Sequence, residues 1–169
     1  MTAENTHLLQ RKFKISQLRD IWHDFCEHHA QLYELTCDEY MHLLASDIDQ
    51  LEITINDKKE LLNTISKIDQ SRNEIVTDLA ISFGVEKIET LNDLLQLLEA
   101  NHEIELKKEI DKRNLLLLDI INKIQAQNKK NQFFLNKAIY SLKELKDSFS
   151  GQNSYKTYSS TGMTKSSNY

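Results

Sequence analysis

Apolar residues recur three and four positions apart through most of this chain, a period that belongs to helices. Ile15, Leu18, Trp22, Phe25 and Leu32 predict an amphipathic helix from Leu8 to about Leu35. Thr36-Cys37-Asp38-Glu39 has the form of a capping box, so a second helix can start there. Nothing in it forbids one continuous helix either, and both readings stand. The next seam is Leu44, Ile48, Leu51, Ile55, Leu62, Ile65, Val76, Leu79 and Phe83, with Lys58, Asp69 and Arg72 as polar interruptions. Such a sustained repeat predicts a coiled-coil-like partner along this helix, and Gly84 predicts a left-handed C-terminal cap.

A short helix is expected from about Thr90 to Glu99 on Leu91, Leu94, Leu95 and Leu98, followed by a break near Asn101. The last helix is expected from about Glu103 to Phe149, capped by Gly151. Its seam reads Ile110, Asn114, Leu117, Ile121, Ile124, Asn128, Asn131, Leu135, Ala138, Leu142, Leu145 and Phe149. Folding the second long helix back on the last gives an antiparallel hairpin with the short helix near its tip. If paired residue numbers sum to about 186, Lys58 lies opposite Asn128, a polar pair that fixes register at some cost in stability. Residues 152–169 are Ser, Thr, Asn and Tyr with two lysines and no acid, lack a period, and are expected to form a disordered tail. The expectation is one all-α domain over 1–151, a long antiparallel helical hairpin or coiled-coil-like bundle, followed by that tail.

Composition strengthens the helical reading. Proline is absent and glycine occurs three times in 169 residues, too few breakers for the frequent turns of a sheet protein. Cys26 and Cys37 show no scaffold spacing, which suits a reducing compartment. No leader or membrane-length apolar run is visible, so a cytoplasmic location is expected. Charge is divided: residues 1–100 carry 9 Lys/Arg against 19 Asp/Glu, and residues 101–169 carry 12 against 7. Halves of opposite sign suit an internal hairpin, and an acidic first half disfavours a nucleic-acid partner.

Metal chemistry has two candidate constellations. Glu39…His42 and Glu99…His102 repeat the Glu-x-x-His spacing of di-iron bundles. But His42 lies about 200° round the helix from Leu44, away from the seam, and the second pair straddles the expected break near Asn101. His23, Cys26, His28, His29 and Cys37 offer paired ligands but no defined set of four. Surface histidines and small core cysteines account for these letters better. Neither a phosphate loop nor a nucleophile motif is present, so no cofactor, metal or catalytic residue is assigned and a binding protein is expected.

Surplus apolar surface is the more informative feature. Leu115–Leu118 cannot all face one partner helix; the N-terminal helix covering them is one explanation. Phe133, Phe134 and Leu135 lead into Ala138, Ile139, Leu142, Leu145 and Phe149, a stripe suited to receiving another protein's helix.

Three stretches resemble the FlgN family of flagellar export chaperones over about residues 30–162. They are Leu51-x-x-x-Ile55-x-x-Lys58-Lys59-x-Leu61-Leu62-x-x-Ile65, Asn128-x-x-Asn131-x-x-Phe134-Leu135, and Tyr158-Ser159-Ser160-Thr161-Gly162. The resemblance implies a cytosolic type III export chaperone. It would bind the C-terminal helical region of hook-associated (hook-filament junction) proteins, keep them monomeric and deliver them to the export gate. The implied client face is Asn131, Phe134, Leu135, Ala138, Ile139, Leu142, Leu145 and Phe149, and Tyr158 is the implied gate contact. A monomer that forms a one-to-one complex is expected. The alternative is a coiled-coil scaffold or adaptor that forms a homodimer through the same stripe.

Overall fold

The computed structural model describes residues 3–149, with side chains from Leu9 onward. It contains α1 (Ala3–Ala45), α2 (Ile48–Phe83), α3 (Leu91–Ala100) and α4 (Ile104–Phe149), and no strand among the described residues. By compactness the chain divides into a first unit, Met1–Lys130, and a second that begins at Asn131 within α4.

α1 runs straight through Thr36, so the capping-box reading fails. The Thr36 hydroxyl is buried and donates to the Leu32 carbonyl one turn back at 2.6 Å, satisfying itself inside the helix. The chain turns ten residues later. Ser46 takes φ 55°, and the Asp47 carboxylate accepts from the Gln50 backbone N–H at 3.2 Å as the N-cap of α2. The second seam therefore begins after this turn, and Leu44 belongs to α1. Gly84 closes α2 at φ 69°, with its N–H directed at the Ala80 and Ile81 carbonyls. α3 begins with a reciprocal box: the Asp93 N–H donates to the Thr90 hydroxyl, and the Thr90 N–H to the Asp93 carboxylate. His102, at φ 63°, makes the turn into α4.

Within the first unit α1 and α2 form an antiparallel pair. Lys14 reaches Asp78 at 2.5 Å, and Arg11 donates to the Ser82 carbonyl at 2.5 Å while stacking over Phe83. α4 runs parallel to α1 here: Arg19 pairs with Glu109 at 2.9 Å, and Arg113 lies 2.9 Å from the His23 ring. Against α2 it runs antiparallel in the expected register, with Lys58 Nζ donating to Asn128 Oδ1 at 3.4 Å. Lys58 also pairs with Glu39 of α1, so one ammonium ties three helices together.

The core is concentrated at one end of this bundle. It joins Ile15, Leu18, Trp22 and Phe25 of α1, Leu79 of α2, Leu94 and Leu98 of α3, and Leu106 and Ile110 of α4. α2 lies between two partners, so it buries two lines of side chains. Ile65, Val76 and Phe83 follow the expected seam, and Ile68 and Ile75 are added to it. Seam positions Ile48, Ile55 and Leu62 are exposed, and the buried α2 residue near them is Thr54.

Candidate client-binding face on α4

A helix turns about 100° per residue, so a 3–4 stripe keeps one face throughout its length. In the first unit that face of α4 is core: Leu106, Ile110 and Ile124 are buried, and Leu117 packs against the cluster. Leu115, Leu116 and Leu118 are exposed, so the N-terminal helix does not cover that run; of the four, Leu117 alone is engaged.

The eight implied client residues all fall on the second unit's part of α4. At about 100° per residue they occupy an arc of about 140°. Asn131 is buried at 3% exposure and Phe134 is half-buried. The other six are exposed, Leu142 at 66% and Phe149 at 88%. Single exposed leucines are ordinary on protein surfaces, but a continuous apolar line on one helix face marks an interaction surface. α4 is also longer than α2, 46 residues against 36.

One feature of this segment was not read from the sequence, and one residue read into the stripe lies elsewhere. Lys143 and Lys146 follow the stripe along one edge, so an apolar partner would meet a basic border on that side. Phe133, grouped with the stripe in the sequence, lies instead on the opposite face with Tyr140, about 160° round the helix from Leu135, and both are exposed. The Tyr140 phenol is raised above its ordinary pKa, first by its hydrogen bond to Glu144 and then by that carboxylate's charge. The signal for the lysines was their position relative to the stripe. Tyr158 and Gly151 lie outside the described residues.

Several of the candidate metal residues have other partners. Glu39 pairs with Lys58, and Glu99 with Lys107 at 2.5 Å. The rings of His28 and His29 each place Nδ1 against the carbonyl four residues back, at 2.8 and 2.7 Å. Cys26 donates to the Arg113 carbonyl at 3.4 Å, and burial pushes its thiol pKa up against the opposing influence of Arg113. Among the described residues no group of three or more His, Cys, Asp or Glu could hold a metal ion. No described helix is long and apolar enough to cross a membrane.

No curated protein and no solved structure gives a significant match. A family model described as FlgN protein does match, over residues 14–166, including the whole described part of α4. That span is most of the 169-residue chain, and it takes in α1 from Lys14 onward, a helix that carries none of the resembling stretches. The chain belongs to the FlgN family, which is a family of flagellar export chaperones and not of enzymes.

Proposed function

We propose that this chaperone holds the C-terminal helical region of hook-filament junction proteins against the α4 stripe of Leu135, Ala138, Ile139, Leu142, Leu145 and Phe149. Phe134 and Asn131 form its inner end. The observation that carries this reading is the exposure of the whole apolar line beyond Phe134. Each large side chain in it offers about 1.5–3 kcal/mol on full burial. Five such side chains exceed the lower range of what association costs, about 4–15 kcal/mol. A partner helix with a matching stripe would bury them and lose its own capacity to self-assemble, which keeps the client monomeric.

In this reading the chaperone is cytoplasmic and monomeric. Residues 1–151 form the holding domain and 152–169 a tail whose Tyr158 contacts the export gate. None of the stripe residues is charged, so the client face itself offers no buried ion pair to slow release at the gate.

Light scattering on the purified chain, alone and with a C-terminal fragment of a hook-associated protein, tests it. A monomer that becomes a one-to-one complex is expected, with affinity reduced more than about 100-fold by Phe134→Asp plus Leu142→Asp, since two anchors of a hot spot are lost. A tight homodimer indifferent to the fragment would instead identify a self-associating scaffold that uses the same stripe.

A further inference from the structure

The polar residues beside the α4 stripe are unevenly placed. At about 100° per residue, the arc of the stripe runs from Phe134 on one side to Ile139 on the other. Lys146 projects about 20° inside the Ile139 edge, and Lys143 about 40° outside it. Both are exposed and belong to the outer turns of α4. Nearer Asn131 the same side carries Gln132 and Asn136, which are uncharged. The acids of the segment, Glu144 and Asp147, each lie about 80° outside the arc, on the far face with Phe133 and Tyr140.

The two units also treat their cations differently. In the first, Lys14, Lys58, Lys107 and Lys123 hold the carboxylates of Asp78, Glu39, Glu99 and Asp119. Every ion pair found among the described residues lies within Met1–Lys130. Among those residues Lys143 and Lys146 therefore have no carboxylate partner. A partner that covers the stripe removes water from beside these ammonium groups, and an acid presented to them then gains strength.

Charge decides between occupants. A second copy meets the stripe with its own borders, Gln132, Asn136 and Lys143 on one side and Lys137, Ser141 and Ser148 on the other. None of these is an acid, so a copy brings nothing to Lys146. A helix lying on an anionic lipid surface has a strongly cationic polar face, whereas the face opposite this stripe holds Glu144 and Asp147. A partner helix with Asp or Glu beside its apolar line supplies what Lys143 and Lys146 lack.

We infer that the stripe selects an amphipathic helix bordered by acidic residues, and that Lys143 and Lys146 fix its register by drawing those acids over the outer turns of α4. The inference rests on the stripe being the client face and names the chemistry of the client. These pairs form at a rim still open to water, so they steer and orient the client without adding a buried ion pair.

Two labelled synthetic peptides of about four heptads test it on the full chain. Both carry leucine at a and d; one has glutamate and the other lysine at e and g, like charges that keep each from pairing with itself. Fluorescence anisotropy at about 50 mM salt is expected to show the glutamate peptide bound at least tenfold more tightly, with the gap closing near about 1 M salt. That preference runs against the net charge of −5, which by itself favours the lysine peptide. Lys143→Glu plus Lys146→Glu is expected to invert the preference. Lys108→Glu plus Lys112→Glu changes the net charge equally on the first unit's part of α4 and should keep the glutamate peptide ahead. Leu142→Asp should abolish binding of both. Equal binding of the two peptides, or a preference that survives the reversal at Lys143 and Lys146, overturns the inference and leaves the client reading intact. So does capture of a hook-associated fragment on the stripe by a chain that holds neither peptide. Both readings fall if neither peptide nor fragment binds. They fall equally if light scattering shows a homodimer broken by Leu142→Asp, or if the stripe holds phosphatidylglycerol vesicles in place of the peptides.

Discussion

The two parts of α4 carry the same pattern and meet different fates. Before Lys130 the stripe is core, with Ile110 fully buried between neighbours from α1, α2 and α3. After Asn131 it is solvent-facing, with Leu142 and Phe149 among the most exposed apolar residues described. The helix itself does not distinguish them, because both parts keep the 3–4 spacing and similar helix-forming residues. Only the cover differs. An amphipathic stripe shows that a helix wants a partner, and it leaves open whether the partner belongs to the same chain.

The strongest way to break this comparison is to truncate one residue in each part. Ile110→Ala should cost about 3 kcal/mol of stability, because it opens a cavity among packed neighbours. Leu142→Ala should stay within about 0.5 kcal/mol, as exposed surface changes do. Urea unfolding of the two variants measures both; equal costs would mean that the second part is covered in the unbound protein. Client affinity should respond in the opposite order, with Leu142→Ala the more damaging.

A smaller effect sharpens where internal pairing ends. Lys58 is the last cross-helix tie seen before the second unit, and its pair with Glu39 is only partly shielded from water. Lys58→Ala should cost about 1 kcal/mol, discounted for solvent screening, and adding Glu39→Gln should recover part of that by removing the unpaired carboxylate. If the double variant is no better than the single one, the lost tie to Asn128 is the larger contribution.

The smallest effect tests the cap of α3, which covers the core end of α4. The Thr90 backbone N–H, then its hydroxyl, hold the Asp93 carboxyl below its ordinary pKa. A depressed folded-state pKa gives stability that is present above the unfolded-state value and lost as pH falls through the folded one. Wild-type urea midpoints should therefore fall more steeply than those of Asp93→Asn in the acid range below about pH 4. Parallel curves would show that the cap contributes nothing through its charge.

Much of this architecture was legible beforehand, and the misses share a cause. Gly84, the α3 leucines and the Lys58–Asn128 register are local or periodic features, set by backbone freedom and helical repeat. Thr36 was ambiguous because the same hydroxyl can cap a following helix or bond back to its own turn. The turn at Ser46–Asp47 carried the same kind of signal, a short polar residue before an apolar run, and lay hidden inside an apparently unbroken seam. Ile48, Ile55 and Leu62 fit the repeat as well as Ile65 does. Their exposure reflects which neighbour stands opposite, and periodicity holds no information about that. The α4 stripe was visible as a line of residues, while its division into buried Asn131, half-buried Phe134 and the exposed remainder was not.

The sequence by itself determined that this protein is helical, where α2 ends, where α3 and α4 would lie, and that one apolar face runs the length of α4. Those properties follow from residues acting on their own turns, through missing proline, sparse glycine and 3–4 spacing. Tertiary structure decided that α1 joins the hairpin as a third helix, that α2 is buried on two sides, and which part of the α4 stripe stays open to water. Burial is a relation between segments far apart in the chain. The hydrophobic effect rewards any apolar surface that meets another, and only the assembled bundle fixes which surfaces meet.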